Sequence, residues 1–175
     1  MINAPAISVV LPTYNRAHTL ARAMHSALQQ SFRDLELIVV DDGSSDSTEA
    51  LVASLSDARI RYVRRANGGV AAARNTGVAH ARGEMIAFLD SDDEWLLNKL
   101  EKQVAALRAA GPDVGLALCG LLRYDTRQVF YLPGRSRIGA RAADIHAEIL
   151  RNNYALTSSW CVRREHFEQV GPFDE

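Results

Sequence analysis

Three carboxylates in four positions, Asp90, Asp92 and Asp93, close a short apolar run, Ile86-Ala87-Phe88-Leu89. A run of that kind suits a strand buried on both faces. Such a strand delivers the acids to its carboxyl end, the edge of an open α/β sheet where ligands bind. In extended backbone Asp90 and Asp92 leave on the same side, separated only by the small Ser91. Two carboxylates so placed repel each other unless a cation stands between them. Oxygen-only ligands favour Mg²⁺ or Mn²⁺, and Mg²⁺ fills its octahedron with water and phosphate oxygens, so the expectation is a metal shared with a diphosphate. The competing reading is that Asp90 to Asp93 cap the next helix, a place that suits Asp. Both hold if Asp93 or Glu94 caps while Asp90 and Asp92 face the ligand.

The elements that must present these acids alternate along the chain. Strand-like runs at Ile7 to Leu11, Leu35 to Val40, Ile60 to Val63 and Ile86 to Leu89 are each followed by a helical pattern. The first pattern carries Leu20, Ala23, Met24, Ala27 and Leu28; the second Leu51, Val52 and Leu55; the third is the small-residue stretch Val70 to Ala79; the fourth carries Leu97, Leu100, Val104 and Leu107 and is closed by Gly111-Pro112. Asp46 with Glu49 resembles a capping box for the second helix. Four such alternations predict an α/β fold with a mainly parallel sheet wrapped by helices. Pro12 is expected at a strand end. Beyond Pro112 the rhythm loosens. Val114 to Leu118, Gln128 to Leu132 and Ser158 to Val162 are expected as strands, Ala142 to Asn153 as a helix and Pro133 to Arg141 as a basic loop, together a mixed or antiparallel edge of one domain.

In a parallel sheet the loops after the four strands emerge on one side. They bring Pro12, Thr13, Tyr14 and Asn15; Asp42, Gly43 and Ser44; Asn67, Gly68 and Gly69; and Asp90, Ser91 and Asp92. An aromatic ring can stack on a base, a lone carboxylate can accept the N3 hydrogen of uracil or thymine, and glycines let backbone approach a ribose or phosphate. Arg74 on the third helix could reach a phosphate. Each has a bland alternative: Asp42-Gly43-Ser44 as a turn with an N-cap, Tyr14 as a loop aromatic, Ala71 to Ala73 as close packing, Arg74 as a solvated charge. The convergence of four loops favours a nucleoside diphosphate site.

Those stretches carry a family resemblance. Ile7 to Arg16 (ISVVLPTYNR), Asp41-Asp42-Gly43-Ser44-Ser45-Asp46, Asn67-Gly68-Gly69 with Ala73-Arg74-Asn75-Thr76-Gly77, Leu89-Asp90-Ser91-Asp92-Asp93 and Val170-Gly171-Pro172-Phe173-Asp174-Glu175 resemble the family 2 glycosyltransferases with the Rossmann-like GT-A fold. The resemblance implies inverting transfer of a sugar from a nucleotide diphosphate donor, UDP- or dTDP-linked, to a carbohydrate or lipid-linked acceptor hydroxyl. It implies Asp42 on the base, Asp90 on the ribose and Asp92 on the Mn²⁺ or Mg²⁺ ion, in the DxD manner. The family's general base lies in an acidic motif after the Gly-x-Phe-Asp-Glu segment, so it is expected after Glu175, and no base is assigned within the chain. Residues 1–112 are then the donor half and 113–175 the start of the acceptor half, which a second copy of the chain would be one way to support. A nucleotide-sugar binding module and a sugar nucleotidyltransferase are the alternatives.

Composition removes other classes. Among 175 residues, 20 Lys and Arg face 21 Asp and Glu for a net charge of -1, which gives no electrostatic case for nucleic acid. No apolar run approaches the ~20 residues of a membrane span, and residues 1–6 lack the regions of a signal peptide. The expected location is cytoplasmic, with a peripheral place at the inner membrane face as the variant. Cys119 and Cys161 lie in apolar runs and read as small hydrophobes, and the five histidines show no ligand spacing. The first strand is followed by Pro12-Thr13-Tyr14-Asn15 in place of Gly-x-Gly-x-x-Gly, which makes a dinucleotide-dependent oxidoreductase a poor reading, and no Gly-Lys-Ser or Gly-Lys-Thr occurs, which excludes a P-loop. A phospho-receiver would want its acidic pair after the first strand.

Overall fold

The computed structural model describes residues 4–124, 129–132 and 156–175. Strands β1 (Ile7–Thr13), β2 (Leu35–Asp41), β3 (Ile60–Arg64) and β4 (Met85–Phe88) alternate with helices α1 (Ala17–Leu28), α2 (Thr48–Ser54), α3 (Gly69–His80) and α4 (Lys99–Ala110). After them come β5 (Leu116–Ala117), β6 (Leu121–Tyr124), β7 (Val129–Leu132), β8 (Cys161–Arg163) and helix α5 (Arg164–Val170). One sheet has the order β3-β2-β1-β4-β8-β5, and β6 pairs with β7 alone. The first four strands are mutually parallel. β8 runs antiparallel to both β4 and β5, giving the mixed edge that the looser pattern after Pro112 implied.

Period-two alternation divides each central strand between two layers. Ile7, Val9, Leu11, Leu37, Val39, Met85 and Ala87 pack with Leu20, Met24, Leu100, Val104 and Leu107 of α1 and α4. Val10, Ile38, Val40, Ile86 and Phe88 face the other way, onto Ala73 of α3 and Phe167 of α5. On that second face α3 lies unusually close to β1, because a Cβ on Gly77 would collide with Cγ1 of Val10. The small side chains of α3 therefore serve close packing as well as the loop ahead of them.

Several boundaries differ from the sequence expectation, each for a pairing reason. β1 runs through Pro12 to Thr13, since its pairing with β4 ends at Val10↔Phe88 and the missing N–H of Pro12 falls where β1 has one neighbour. The fourth strand is Met85–Phe88 rather than Ile86 to Leu89, and helix α4 begins at Lys99, leaving Leu97 exposed. β5 shrinks to two residues, as β8 offers it only Cys161 and Val162. The expected strand Ser158 to Val162 divides into a 3₁₀ turn, Thr157–Ser159, and β8. β6 and α5 were not anticipated. No capping box forms at α2: Asp46 accepts the Thr48 amide at 3.0 Å, while Glu49 pairs with Arg64 at 2.6 Å. The expected helix Ala142 to Asn153 and loop Pro133 to Arg141 lie outside the described residues. Cys119 is half-buried and Cys161 buried, both as free thiols.

At the amino end of the sheet, opposite the loops of interest, a buried carboxylate ties three elements together. Glu36 of β2 accepts Ser8 Oγ of β1 at 2.7 Å, Arg61 Nη1 of β3 at 3.0 Å, and from Arg82 both the backbone N–H (2.9 Å) and Nη2 (2.6 Å) at the return from α3. Burial pushes its carboxyl up, but the bonds from Arg82, Ser8 and Arg61 outweigh that and hold it below the ordinary value of 4.5. Removing the carboxylate leaves the Ser8 hydroxyl and the Arg82 amide without their acceptor while Arg61 and Arg82 keep access to solvent, so Glu36→Ala is expected to cost about 1–3 kcal/mol, measured by urea denaturation. A depressed acid contributes its full stability above its unfolded pKa and loses it as pH falls through the folded value. The stability of Glu36→Gln should therefore fall less steeply than wild type below about pH 4.5.

Candidate functional site

The carboxyl ends of β1 to β4 open on a cleft of about 470 Å³. β1 and its loop supply Pro12, Thr13, Tyr14 and Arg16 to its walls, and the loop after β2 supplies Asp42. The β3–α3 turn and helix α3 supply Asn67, Gly69, Val70, Ala73 and Arg74, and the end of β4 supplies Asp90, Ser91 and Asp92. Ten of the expected residues thus share one space. Tyr14 and Val70 are exposed apolar surfaces there.

Asn15, Gly43 and Ser44 stand behind the wall. Asn15, at φ 51° a rare non-glycine in the left-handed region, accepts the Ser45 amide on Oδ1 at 2.8 Å and donates its own N–H to Ser44 Oγ at 2.9 Å. Ser44 in turn donates its N–H to Asp41 Oδ1 at 2.8 Å. Asp41 also accepts the Tyr62 hydroxyl; burial and then that bond push the phenol up. Gly43 has φ 83°, and a Cβ on it would come within 3.0 Å of the Asn67 N–H nitrogen. These residues lock the β1 and β2 loops to each other.

Asp42 is buried, and its carboxylate is held by the next turn. Oδ2 accepts Gly69 N–H at 2.8 Å, Gly68 N–H approaches both oxygens at 3.1 Å, and Arg65 Nη1 lies 3.5 Å from Oδ1. Asn67 Nδ2 donates to the Asp42 carbonyl at 3.0 Å. The β3–α3 turn is therefore folded around Asp42 as a helix N-terminus is folded around an anion.

On the opposite wall Arg74 donates from Nη2 to Asp90 Oδ1 at 2.7 Å, with its side chain 14% exposed. Asp92 is about half exposed and, among the described residues, makes only a 3.9 Å contact with Arg16. Asp93 is an exposed residue. Even so, desolvation by the packed loop holds its carboxyl above the usual carboxylate range, opposed by a bond from Ser158 and reinforced by the charges of Asp90 and Asp92. Two buried polar atoms of the cleft residues, Thr13 Oγ1 and Arg74 Nε, have no hydrogen-bond partner among the described residues.

A polar network beneath the acidic turn escaped the sequence reading. Ser158 Oγ accepts the Asp90 N–H at 3.0 Å, and the Ser158 carbonyl accepts Trp95 Nε1 at 2.8 Å. Lys99 Nζ lies 4.0 Å from the Trp95 ring centre and donates to Gln103 Oε1 at 2.7 Å, while Gln103 Nε2 donates to the carbonyls of Ser159 (2.8 Å) and Ala117 (2.9 Å). Burial pushes the Lys99 ammonium down to about 8 and the Cys161 thiol beside it up to about 11. The available signal was Lys99 and Gln103 four apart, polar residues on the inward face of α4, with Trp95 four residues before Lys99. Arg16, Val70 and Ala73 also line the cleft without having stood out by type.

A mostly parallel sheet with a mixed edge and an acid-bearing cleft at its carboxyl ends is the GT-A arrangement, and solved structures of that class superpose on the chain. A mannosyltransferase of Pyrobaculum calidifontis in complex with GDP-Man and Mn²⁺ matches with a TM-score of 0.71 at 24% identity, over 99% of this chain and 48% of that one. TarS of S. aureus in complex with UDP-GlcNAc matches with a TM-score of 0.76 at 24% identity, over 94% and 47%. At that identity the likeness bears on the fold. The sequence model of Glycosyl transferase family 2 matches residues 8–171, and the chain belongs to that family. Among curated relatives, an uncharacterized glycosyltransferase of Rickettsia typhi is 30% identical over 98% of this chain and 54% of its own length. The succinoglycan biosynthesis protein ExoO of Rhizobium meliloti is 40% identical over 75% of this chain and 36% of its own. A UDP-Glc-dependent β-1,3-glucosyltransferase of Escherichia coli is 44% identical over 58% and 40%. The chain spans about half the length, or less, of these relatives.

The left-handed backbone of Gly43 and its close approach to Asn67 give a direct test. Ala at a left-handed position costs about 1–3 kcal/mol, and here its Cβ also presses on the Asn67 backbone. Gly43→Ala should lower the thermal midpoint and release the Asp42 cradle, seen as faster hydrogen exchange of the Gly68 and Gly69 amides.

Proposed function

We propose that the cleft binds a nucleoside diphosphate sugar, UDP- or dTDP-linked, and that the whole protein transfers the sugar with inversion to an acceptor hydroxyl in polysaccharide or other glycoconjugate synthesis. The observation that carries the reading is the meeting of Tyr14, Asp42, Arg74, Asp90 and Asp92 around one space. Thr13 and Arg74 of its lining each carry a buried polar atom without a hydrogen-bond partner among the described residues. UDP-GlcNAc bound to TarS and the UDP-Glc dependence of the E. coli relative support the uridine choice.

In this reading Tyr14 and Val70 offer apolar surface to the base. Asp42 accepts the N3 hydrogen: a carboxylate has about four lone-pair sites, and the glycine amides and Arg65 both orient it and leave acceptor capacity toward the cleft. Gly69 and Asn67 let backbone and amide approach the ribose, which Asp90 also contacts. The donor set at the β4 end fits a Mg²⁺ or Mn²⁺ ion: it is all oxygen, and Asp92 is accessible. Among the described residues no cluster of three or more His, Cys, Asp or Glu forms a closed cage, so Asp92 and Asp90 would hold the ion together with diphosphate oxygens and water. When bound, the ion supplies positive charge for the leaving diphosphate. The residues that would take the acceptor proton are expected in the part of the protein after Glu175, with 113–175 as the start of the acceptor half. Homodimer formation, carbohydrate or lipid-linked acceptors and a place at the inner membrane face belong to the same proposal. Among the described residues no helix is long and apolar enough to cross a membrane.

Two measurements test it. Asp92→Asn should weaken Mn²⁺-dependent UDP binding more than any other single acid in the cleft, and equal UDP affinity of the wild type in EDTA and in Mn²⁺, by calorimetry, would overturn the metal assignment. Cytosine sets an acceptor against the Asp42 acceptor, a mismatch of roughly 1–3 kcal/mol. UDP and dTDP should then outbind CDP about tenfold or more. A panel that includes GDP, the nucleotide of the Pyrobaculum enzyme's donor, and finds it the tighter ligand would displace the uridine choice.

A further inference from the structure

The segment after α5 reaches back to the donor wall. Gly171, at φ 99°, turns the chain, and one side-chain amide on α3 then fixes it at three points. Asn75 Oδ1 accepts the Phe173 N–H at 2.9 Å, and Asn75 Nδ2 donates to the Phe173 carbonyl at 2.9 Å and to Glu175 Oε1 at 2.8 Å. The amide of Asn75 thus acts on Phe173 as a paired strand would, with one donor and one acceptor. The Phe173 ring lies 5.4 Å from Phe88, 5.6 Å from Phe167 and 6.2 Å from Trp160, measured between ring centres. The Arg74 guanidinium carbon lies 5.6 Å from the same ring centre, within cation–π range. Arg74 is the residue that donates to Asp90 at 2.7 Å. Phe88, against which the ring packs, is the last residue of β4, two before Asp90.

We propose that Phe173, held by Asn75, is a positioning residue for the donor site, acting on Asp90 through Arg74. An arginine has several rotatable bonds, and side-chain entropy favours leaving a long cation mobile. The ring beneath it selects the orientation in which Nη2 meets Asp90 Oδ1. A loosened segment would leave every cleft residue in place in the sequence and yet let the Arg74–Asp90 pair swing. The inference rests on the reading of the cleft as a diphosphate site.

The test is UDP binding in Mn²⁺, by calorimetry, for the wild type, Asn75→Ala, Phe173→Leu, Arg74→Ala and the double variant Asn75→Ala/Arg74→Ala, with the thermal midpoint of each taken without ligand. Phe173→Leu keeps apolar volume in the aromatic cluster and removes the ring face, so it serves if Asn75→Ala proves unstable. Asn75→Ala and Phe173→Leu should each weaken UDP by about fivefold to tenfold, and Asn75→Ala should add nothing further once Arg74 is Ala, the non-additivity of residues acting through one another. A purely structural role would multiply the two losses. Unchanged UDP affinity in both single variants, or a full additional loss from Asn75→Ala in the Arg74→Ala background, overturns the proposal. Failure of the wild type itself to bind UDP in Mn²⁺ would overturn the donor-site reading and this inference with it.

Discussion

The parallel pairing of β1 with both β2 and β4 is the constraint from which the cleft follows. Its register sets Thr13 beside Asp41 and Val10 beside Phe88, so the two neighbouring ladders end at different heights. β1 and β2 run on together past the point where β4 stops. The space above the end of β4 is therefore walled on one side by paired backbone, and the acids of the 90–92 turn enter it from below. A strand order with β1 at the edge would have put the same loops on the same face and left them without a common floor.

Charge within this arrangement is handled by different means at the two ends of the sheet. At the amino end Glu36 is saturated: Ser8, Arg61 and Arg82 take its oxygens, and its work is to hold strands. At the carboxyl end Asp42 is gripped by neutral amides and by a longer Arg65 contact, and Asp92 by little more than a distant Arg16. Stability has been concentrated where no ligand goes, and electrostatic demand has been left where one can go.

Much of this was legible from spacing alone. Hydrophobic period gave the four βα units, since each central strand is buried on both faces and each helix on one. The loops converge as expected because parallel strands leave no other option. What the spacing could not convey was which loop residues face the cleft and which face each other. Asn15 and Ser44 carry the same polar groups as their neighbours, and only their partners in three dimensions, Ser45 and Asp41, show them to be brackets. Trp95, Lys99 and Gln103 were hidden for a similar reason. Trp95 and Gln103 bond to backbone carbonyls more than fifty positions away in sequence or on a strand of two residues, too short to leave a pattern, and Lys99 is held between those two side chains. The division of Ser158 to Val162 into a turn and a strand follows from that same anchoring.

The bare backbone of Gly77 has a reach beyond its own turn of helix. Arg74 stands one turn before it on α3, so the height at which the helix rests on Val10 also sets the height of the guanidinium above the sheet. Positions 10 and 77 behave as a single volume shared between a strand and a helix. A methyl gained at one is compatible with an undisturbed cleft only if bulk is lost at the other. The depth of the pocket is in this sense machined from underneath, at two positions outside its lining.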